Sequence, residues 1–388
     1  MTVRGTFSWD AGVMLVFLLS CGVAGGQTMA RPGWAGSGMT VERWWTHAVI
    51  CEVRPDGLGP VGEGSGFRLL AARIEDLQTL GVDAVLLRGV EVEALATGGD
   101  AVAVDSRFGT MEEFDGLVGE AVRHRIRVLV ELRGGARGSS FTADARFWLN
   151  HGVTGLDLGS GDAAEVADAR EVLRGYVGER VLIAGDGGRE EPGRAGEPDL
   201  VRVSVPPVER GAGAMRAAIG RARTMDGKGS AVALLSGEDG GADAVGARVM
   251  AAALLGSGGA VLLRADDLDL AHAGDATQSS VFAWYRQWSG LHRGDRVLRS
   301  GEETLLDHDD AGALVWVRQS RGEQAPIVAI CNVTDKPLRL SLVEDIQRLR
   351  LRGSFLRTLA RSDGGMGAMP LRAIVLPAYG VYVGELSR

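Results

Sequence analysis

Thr110-Met-Glu-Glu-Phe-Asp-Gly-Leu-Val-Gly-Glu-Ala-Val-Arg-His-Arg-Ile-Arg-Val-Leu-Val-Glu-Leu132 holds one complete passage from helix to strand. Thr110 and Glu113 have the spacing of a capping box, in which each side chain satisfies a backbone N–H at the helix start. Phe114, Leu117, Val118, Ala121 and Val122 recur at helical spacing and mark one buried face. Arg123, His124 and Arg125 stand where positive charge suits the negative end of the helix dipole. Residues 128–132 follow as an almost unbroken apolar run, as expected of a parallel strand covered on both faces.

The unit repeats in both directions. Strand-like runs lie at 48–53, 84–87, 128–132, 155–158, 181–184, 200–205, 231–235 and 260–263. Amphipathic segments separate most of them; Leu70, Ile74, Leu77 and Leu80 share a face that Gly81 ends, and Asp162 with Glu165 repeats the capping device. Eight strand–helix units over about 250 residues predict a (β/α)₈ TIM barrel. Past residue 294 the pattern changes to short strands joined by turns, at 303–306, 313–318, 326–332, 338–342, 355–359 and 373–383. These predict a small C-terminal antiparallel β-sandwich. The expected organisation is 1–38 as signal and linker, 39–294 as barrel and 295–388 as sandwich.

Residues 13–23 (VMLVFLLSCGV) are too short an apolar run to span a bilayer, and small residues follow at 24–30, as in a secretory signal. Leu18-Leu19-Ser20-Cys21 also resembles a bacterial lipobox, which would make Cys21 a lipidation site. Export to the periplasm or medium and anchoring at the cell envelope both stay open. Cys51 and Cys331 lie in apolar runs and read as buried free thiols. The six histidines are scattered without metal-binding spacing, so no metal and no cofactor is expected.

A net charge of −8 argues against nucleic acid as a partner, and against a membrane except through an anchor at Cys21. The charged stretch 339–352 reads most simply as a solvated strand edge and loop. Trp284, Tyr285 and Trp288 have helical spacing and read as core rather than as a sugar-stacking platform. Gly57-Leu-Gly59-Pro-Val-Gly62 fits a dinucleotide fingerprint, but Pro60 and the late helix start favour a plain βα loop.

Four segments in collinear order resemble the α-amylase family, glycoside hydrolase family 13. They are Trp44-Trp-Thr-His-Ala-Val-Ile50 with Glu52-Val-Arg-Pro55, then Arg73-Ile-Glu-Asp-Leu-Gln-Thr-Leu-Gly-Val-Asp-Ala-Val85, then Val104-Asp-Ser-Arg-Phe-Gly-Thr-Met-Glu-Glu-Phe-Asp115, then Phe147-Trp-Leu-Asn-His-Gly-Val-Thr-Gly155. The likeness continues through 242–270 and Ile330-Cys-Asn-Val-Thr-Asp-Lys-Pro337. The resemblance implies retaining hydrolysis of α-glucans or other oligosaccharides by a nucleophile on the fourth strand, an acid on the fifth and a third carboxylate that grips the sugar.

Carried onto this sequence, the nucleophile position holds Gly159 and the acid position Gly185, with Asp186 beside it. The family's fourth-strand arginine becomes Asp157. The third-strand amide and imidazole become Gly135 and Ala136, a sugar-stacking Tyr-Asp pair becomes Ala96 and Thr97, and the insertion after the third strand shrinks to 138–144. Asp239 keeps the gripping carboxylate, with Asp100 and Glu131 as further substrate contacts. The expectation is a pseudoenzyme that binds carbohydrate or serves a protein partner as an accessory subunit. The alternative is an atypical α-glucan hydrolase or transglycosylase using Asp157, Asp186 and Asp239.

Overall fold

The structure, a computed structural model, describes residues 43–55, 58, 65–90, 104–132, 139–159, 162–185, 197–225, 231–236, 244–268, 279–308, 311–320, 322 and 324–388. Arg43–Arg388 is one compact unit. Eight parallel strands close into a barrel in sequence order: β1 (Val49–Val53), β2 (Ala84–Leu87), β3 (Arg127–Glu131), β4 (Gly155–Asp157), β5 (Val181–Gly185), β6 (Leu200–Val205), β7 (Ala231–Ser236) and β8 (Ala260–Arg264). The TIM barrel expected from the repeat is borne out. β1 pairs with both β2 and β8, which closes the ring.

Around it run α1 (Gly66–Ala71), α2 (Ile74–Leu80), α3 (Met111–Arg123), α4 (Ser139–Asn150), α5 (Ala163–Arg174), α6 (Gly211–Met225), α7 (Ala244–Gly256), α8 (Ser279–Gly294) and the short α9 (Arg296–Ser300). Both expected capping boxes form, Thr110 with Glu113 on α3 and Asp162 with Glu165 on α5. Gly81 ends α2 in the left-handed conformation. The outward strand residues and inward helix faces share one core, in which Phe67, Phe114, Trp148, Tyr285 and Trp288 are buried. Cys51 and Cys331 are buried and unpaired with each other.

After α9 the chain forms β9 (Glu302–Leu306), β10 (Ala313–Gln319), β11 (Ile327–Asn332), β12 (Leu338–Leu340), α10 (Val343–Arg348), β13 (Phe355–Arg361), β14 (Ala368–Pro370), β15 (Ile374–Leu376) and β16 (Val381–Ser387). Six of these make an antiparallel sheet in the order β14-β13-β16-β11-β10-β9, and β12 pairs with β15 in a separate ribbon. Strand alternation splits the sheet's residues between two cores. Leu314, Trp316, Ile327, Ala329 and Cys331 join the barrel core. Val315, Val317, Val328, Ile330 and Tyr382 lie under the ribbon and α10. Arg318, 1% exposed, fastens the sheet to the barrel: it reaches Glu303 at 2.8 Å and the Gly301 carbonyl at 2.8 Å, and Glu303 accepts from the Gly258 N–H at 2.8 Å. The run expected as one strand over 373–383 is two, β15 and β16, because the chain turns at Pro377-Ala-Tyr-Gly380, with Tyr379 at φ 51°.

Candidate functional site

Side chains along a strand alternate between faces, so the inward set follows from one register. Ile50, Ala84, Leu86, Leu129, Val181, Ile183, Leu200, Ala260 and Leu262 form a dry plug in the barrel, closed by Trp45. Two residues farther toward the strands' carboxyl ends the same inward positions are Glu52, Arg88, Glu131, Asp157, Gly185, Arg202 and Arg264. The plug therefore changes from wholly apolar to almost wholly charged in one layer.

Five of the six charges in that layer, all but Arg264, are paired within it. Arg88 bridges two acids, with Nη1 2.5 Å from Glu52 and Nη2 2.8 Å from Glu131. Arg202 Nη1 donates to Asp157 Oδ2 at 2.7 Å, while the Gly159 N–H donates to Oδ1 at 2.9 Å. Arg264 lies 3.5 Å from Asp266, beyond a firm ion pair. Asp157 is 0% exposed. Burial pushes its carboxyl up to about 6, against the opposing pull of Arg202 and the Gly159 N–H, with Glu131 and Glu52 adding to the rise.

Gly185 explains how Arg202 reaches Asp157. β5 lies between β4 and β6, and Gly185 is in register with Arg202. Three neighbouring strands span about 10 Å, within the combined reach of an arginine and an aspartate only if the intervening strand has no inward side chain. Gly159 is different. It sits at φ 59°, and a Cβ built on it would meet none of the described residues within 4 Å.

Among the sequence-derived candidates, the structure brings Asp157 and Glu131 into one charged layer, with Gly159 and Gly185 at its edge. Asp157 is sealed from solvent, and Glu131 is held by Arg88. Asp186, Asp239, Asp100, Ala96, Thr97, Gly135, Ala136 and Cys21 lie outside the described residues, as does all of the glycine-rich fingerprint except Leu58. Burial of Asp157 implies a barrel arginine as its partner, which Arg202 supplies; sequence reasoning did not single out Arg202 for it, nor Arg88 and Arg264 for the rest of the layer. The signal was present in Arg202, the one basic residue inside the run 200–205. Among the described residues no cluster of three or more His, Cys, Asp or Glu side chains could hold a metal ion.

No family model matches the chain. Over 97 residues it is 32% identical to a glucan 1,6-α-glucosidase of Streptococcus pneumoniae, a segment making up 24% of this chain and 18% of that protein. Over 112 residues it is 34% identical to a probable α-glucosidase of Rhizobium meliloti, 27% of this chain and 19% of that one. The chain thus spans less than a fifth of the length of these curated relatives. Among solved structures, a trehalulose synthase variant superposes with a TM-score of 0.70 at 13% identity, over 89% of this chain and 100% of the other. An α-amylase of Geobacillus thermoleovorans does so at 0.68 and 13%, with the same coverage. At that identity the structures speak for the fold alone, and the matched segments show a partial likeness to α-glucosidases. In fold and over those segments the chain is similar to proteins of the α-amylase family, glycoside hydrolase family 13.

Proposed function

We propose that this chain is a catalytically impaired α-amylase-like protein that acts in carbohydrate binding or as an accessory subunit. The observation that carries this reading is the sealed Asp157–Arg202 pair beneath Gly159. A retaining glycosidase needs two carboxylates about 5 Å apart that both reach the sugar. Here the carboxylate of β4 points into a guanidinium and has no surface, and the fifth-strand position holds no side chain at all. Kinship with α-glucosidases supports a carbohydrate as ligand. Export through the apolar run 13–23, with or without lipidation at Cys21, belongs to the same proposal.

The test is turnover of maltooligosaccharides and aryl α-glucosides by purified protein, repeated with Asp239→Asn. Absence of turnover together with calorimetric binding of maltooligosaccharide is the expected result. Turnover abolished by Asp239→Asn would overturn the proposal in favour of an atypical hydrolase or transglycosylase. Silence in both assays would move the reading from carbohydrate to a protein partner.

A further inference from the structure

The layer that covers the outer face of the C-terminal sheet has a single repeating rule. Leu338 and Leu340 point to the sheet and Arg339 is exposed; Leu349 and Leu351 pack inward while Arg348, Arg350 and Arg352 are exposed; Leu371 is buried and Arg372 exposed. Ile374 and Leu376 face in, and Val375 between them is 43% exposed. In the ribbon, strand alternation puts Arg339 and Val375 on the outward face, while Arg348 at the end of α10, Arg350 and Arg352 in the turn after it and Arg372 before β15 are exposed beside leucines that pack on the same core. Backbone bonds hold these pieces together: the Leu342 N–H donates to Leu371 O and the Leu371 N–H to Ser354 O, while Arg339 is in register with Val375.

The charge of this surface is unlike that of the chain. Residues 339–372 hold seven arginines, no lysine and three acids, a net of +4 in a protein whose total is −8. Arg357 pairs with Glu385 and Arg361 with Asp363, and Asp345 is engaged by His308. Arg339, Arg350, Arg352 and Arg372 make no ion pair among the described residues, and Arg348, whose side chain is 73% exposed, is only 3.6 Å from Asp345. Glu344 is the exposed acid nearest to them in the chain. An average of −8 disfavours anionic partners for the surface as a whole. It also means that such a partner is repelled from other faces and oriented onto this one.

We infer that this face is a docking surface for an anionic phospholipid membrane. Five outward arginines fall within the range of basic clusters that read as anionic-lipid sites, and guanidinium forks match phosphate oxygens in pairs. Val375, in register with Arg339, supplies an exposed aliphatic contact beside it. No aromatic side chain is among these outward residues, whereas nucleic-acid surfaces stack bases on aromatic rings. Among the described residues no helix is long and apolar enough to cross a membrane, so contact through this face is peripheral.

The full chain is sedimented with vesicles of phosphatidylcholine alone and of phosphatidylcholine with about a third phosphatidylglycerol, at low and near-physiological salt. A variant carrying Arg339→Gln, Arg350→Gln, Arg352→Gln and Arg372→Gln is compared with a control carrying Arg123→Gln and Arg174→Gln on exposed barrel helices. Circular dichroism melting establishes that both fold. The expected result is salt-sensitive binding that requires phosphatidylglycerol. At roughly a factor of five per arginine, the fourfold variant loses at least a hundredfold in affinity and the control loses none. Binding that is equal on both vesicle types, unchanged in the fourfold variant, or absent altogether overturns the inference. So does binding confined to a soluble polyanion such as heparin.

Discussion

Asp157→Asn isolates the buried pair. The carboxyl rises from its ordinary 3.8 to about 6 in the folded chain because desolvation outweighs Arg202. A group that holds its proton more tightly when folded stabilises the fold fully below the unfolded value, and this contribution drains away as pH climbs through the folded value. The window is therefore about pH 4 to 6, with stability from this residue falling as pH rises. At about 1.4 kcal/mol per pH unit, the full change is about 3 kcal/mol. Asparagine has nearly the same shape and keeps one acceptor oxygen, so it loses one of the two bonds from the Gly159 N–H and Arg202, but it does not titrate. Leaving Arg202 without a counter-charge shifts the variant's stability by an amount that does not depend on pH in this window, so the slope and not the offset is the readout. Urea unfolding of both proteins at pH 4, 5, 6 and 7, with equal m-values, gives the difference in stability directly, and other titrating groups cancel. The variant should gain about 2.4 kcal/mol of that on the wild type between pH 4 and 7, since at pH 4 the unfolded carboxyl is already partly ionised. A difference that stays constant, or that moves toward the wild type as pH rises, would mean that Arg202 dominates and that the pair is a net stabilising salt bridge.

Two further outcomes follow from the same layer. Gly185→Val should cost about 1–3 kcal/mol alone by blocking the path of Arg202, and clearly less in an Arg202→Ala background; a double-mutant cycle with coupling below about 0.5 kcal/mol would show that Arg202 does not depend on that gap. Gly159→Asp should fold with a loss of about 1–2 kcal/mol from its left-handed backbone and should still not hydrolyse maltooligosaccharides, since position 185 offers no acid; turnover in that variant would refute the view that both carboxylate roles are vacant.

The barrel was legible in the sequence because each of its signals is local. The capping boxes at Thr110 and Asp162, the stop at Gly81 and the apolar runs all lie within a few residues of the element that they define, and each formed where expected. The charged layer was not legible for the opposite reason. Alternation tells which face Asp157 occupies, but its partner Arg202 is 45 residues away and two strands round the ring. Nothing in the run 155–161 encodes that distance. The C-terminal layer shows a third case. Val343–Arg348 is a six-residue helix, too short to establish a helical period, so the alternating Leu and Arg around it read as strand edge and loop.

The substitutions in the mouth are easier to understand together than one by one. A guanidinium on β4, as the family resemblance supplies, would need carboxylates above it; once those are gone it would be a buried charge without a partner, a loss of several kcal/mol. Placing Asp157 there and Arg202 on β6 restores the balance with the signs exchanged. The exchange requires a gap at Gly185, the same position that would otherwise carry an acid. Glu52, Arg88 and Glu131 complete the pairing on the other side of the barrel, so three acids and three inward arginines occupy one layer. Each glycine in the mouth then has a physical role besides the absence of a catalyst: Gly185 lets Arg202 pass, and Gly159 turns its N–H back onto Asp157. Asp157, the most deeply buried of these acids, has both oxygens occupied, so hydrogen bonds from Arg202 and the Gly159 N–H offset part of the cost of burying its carboxylate.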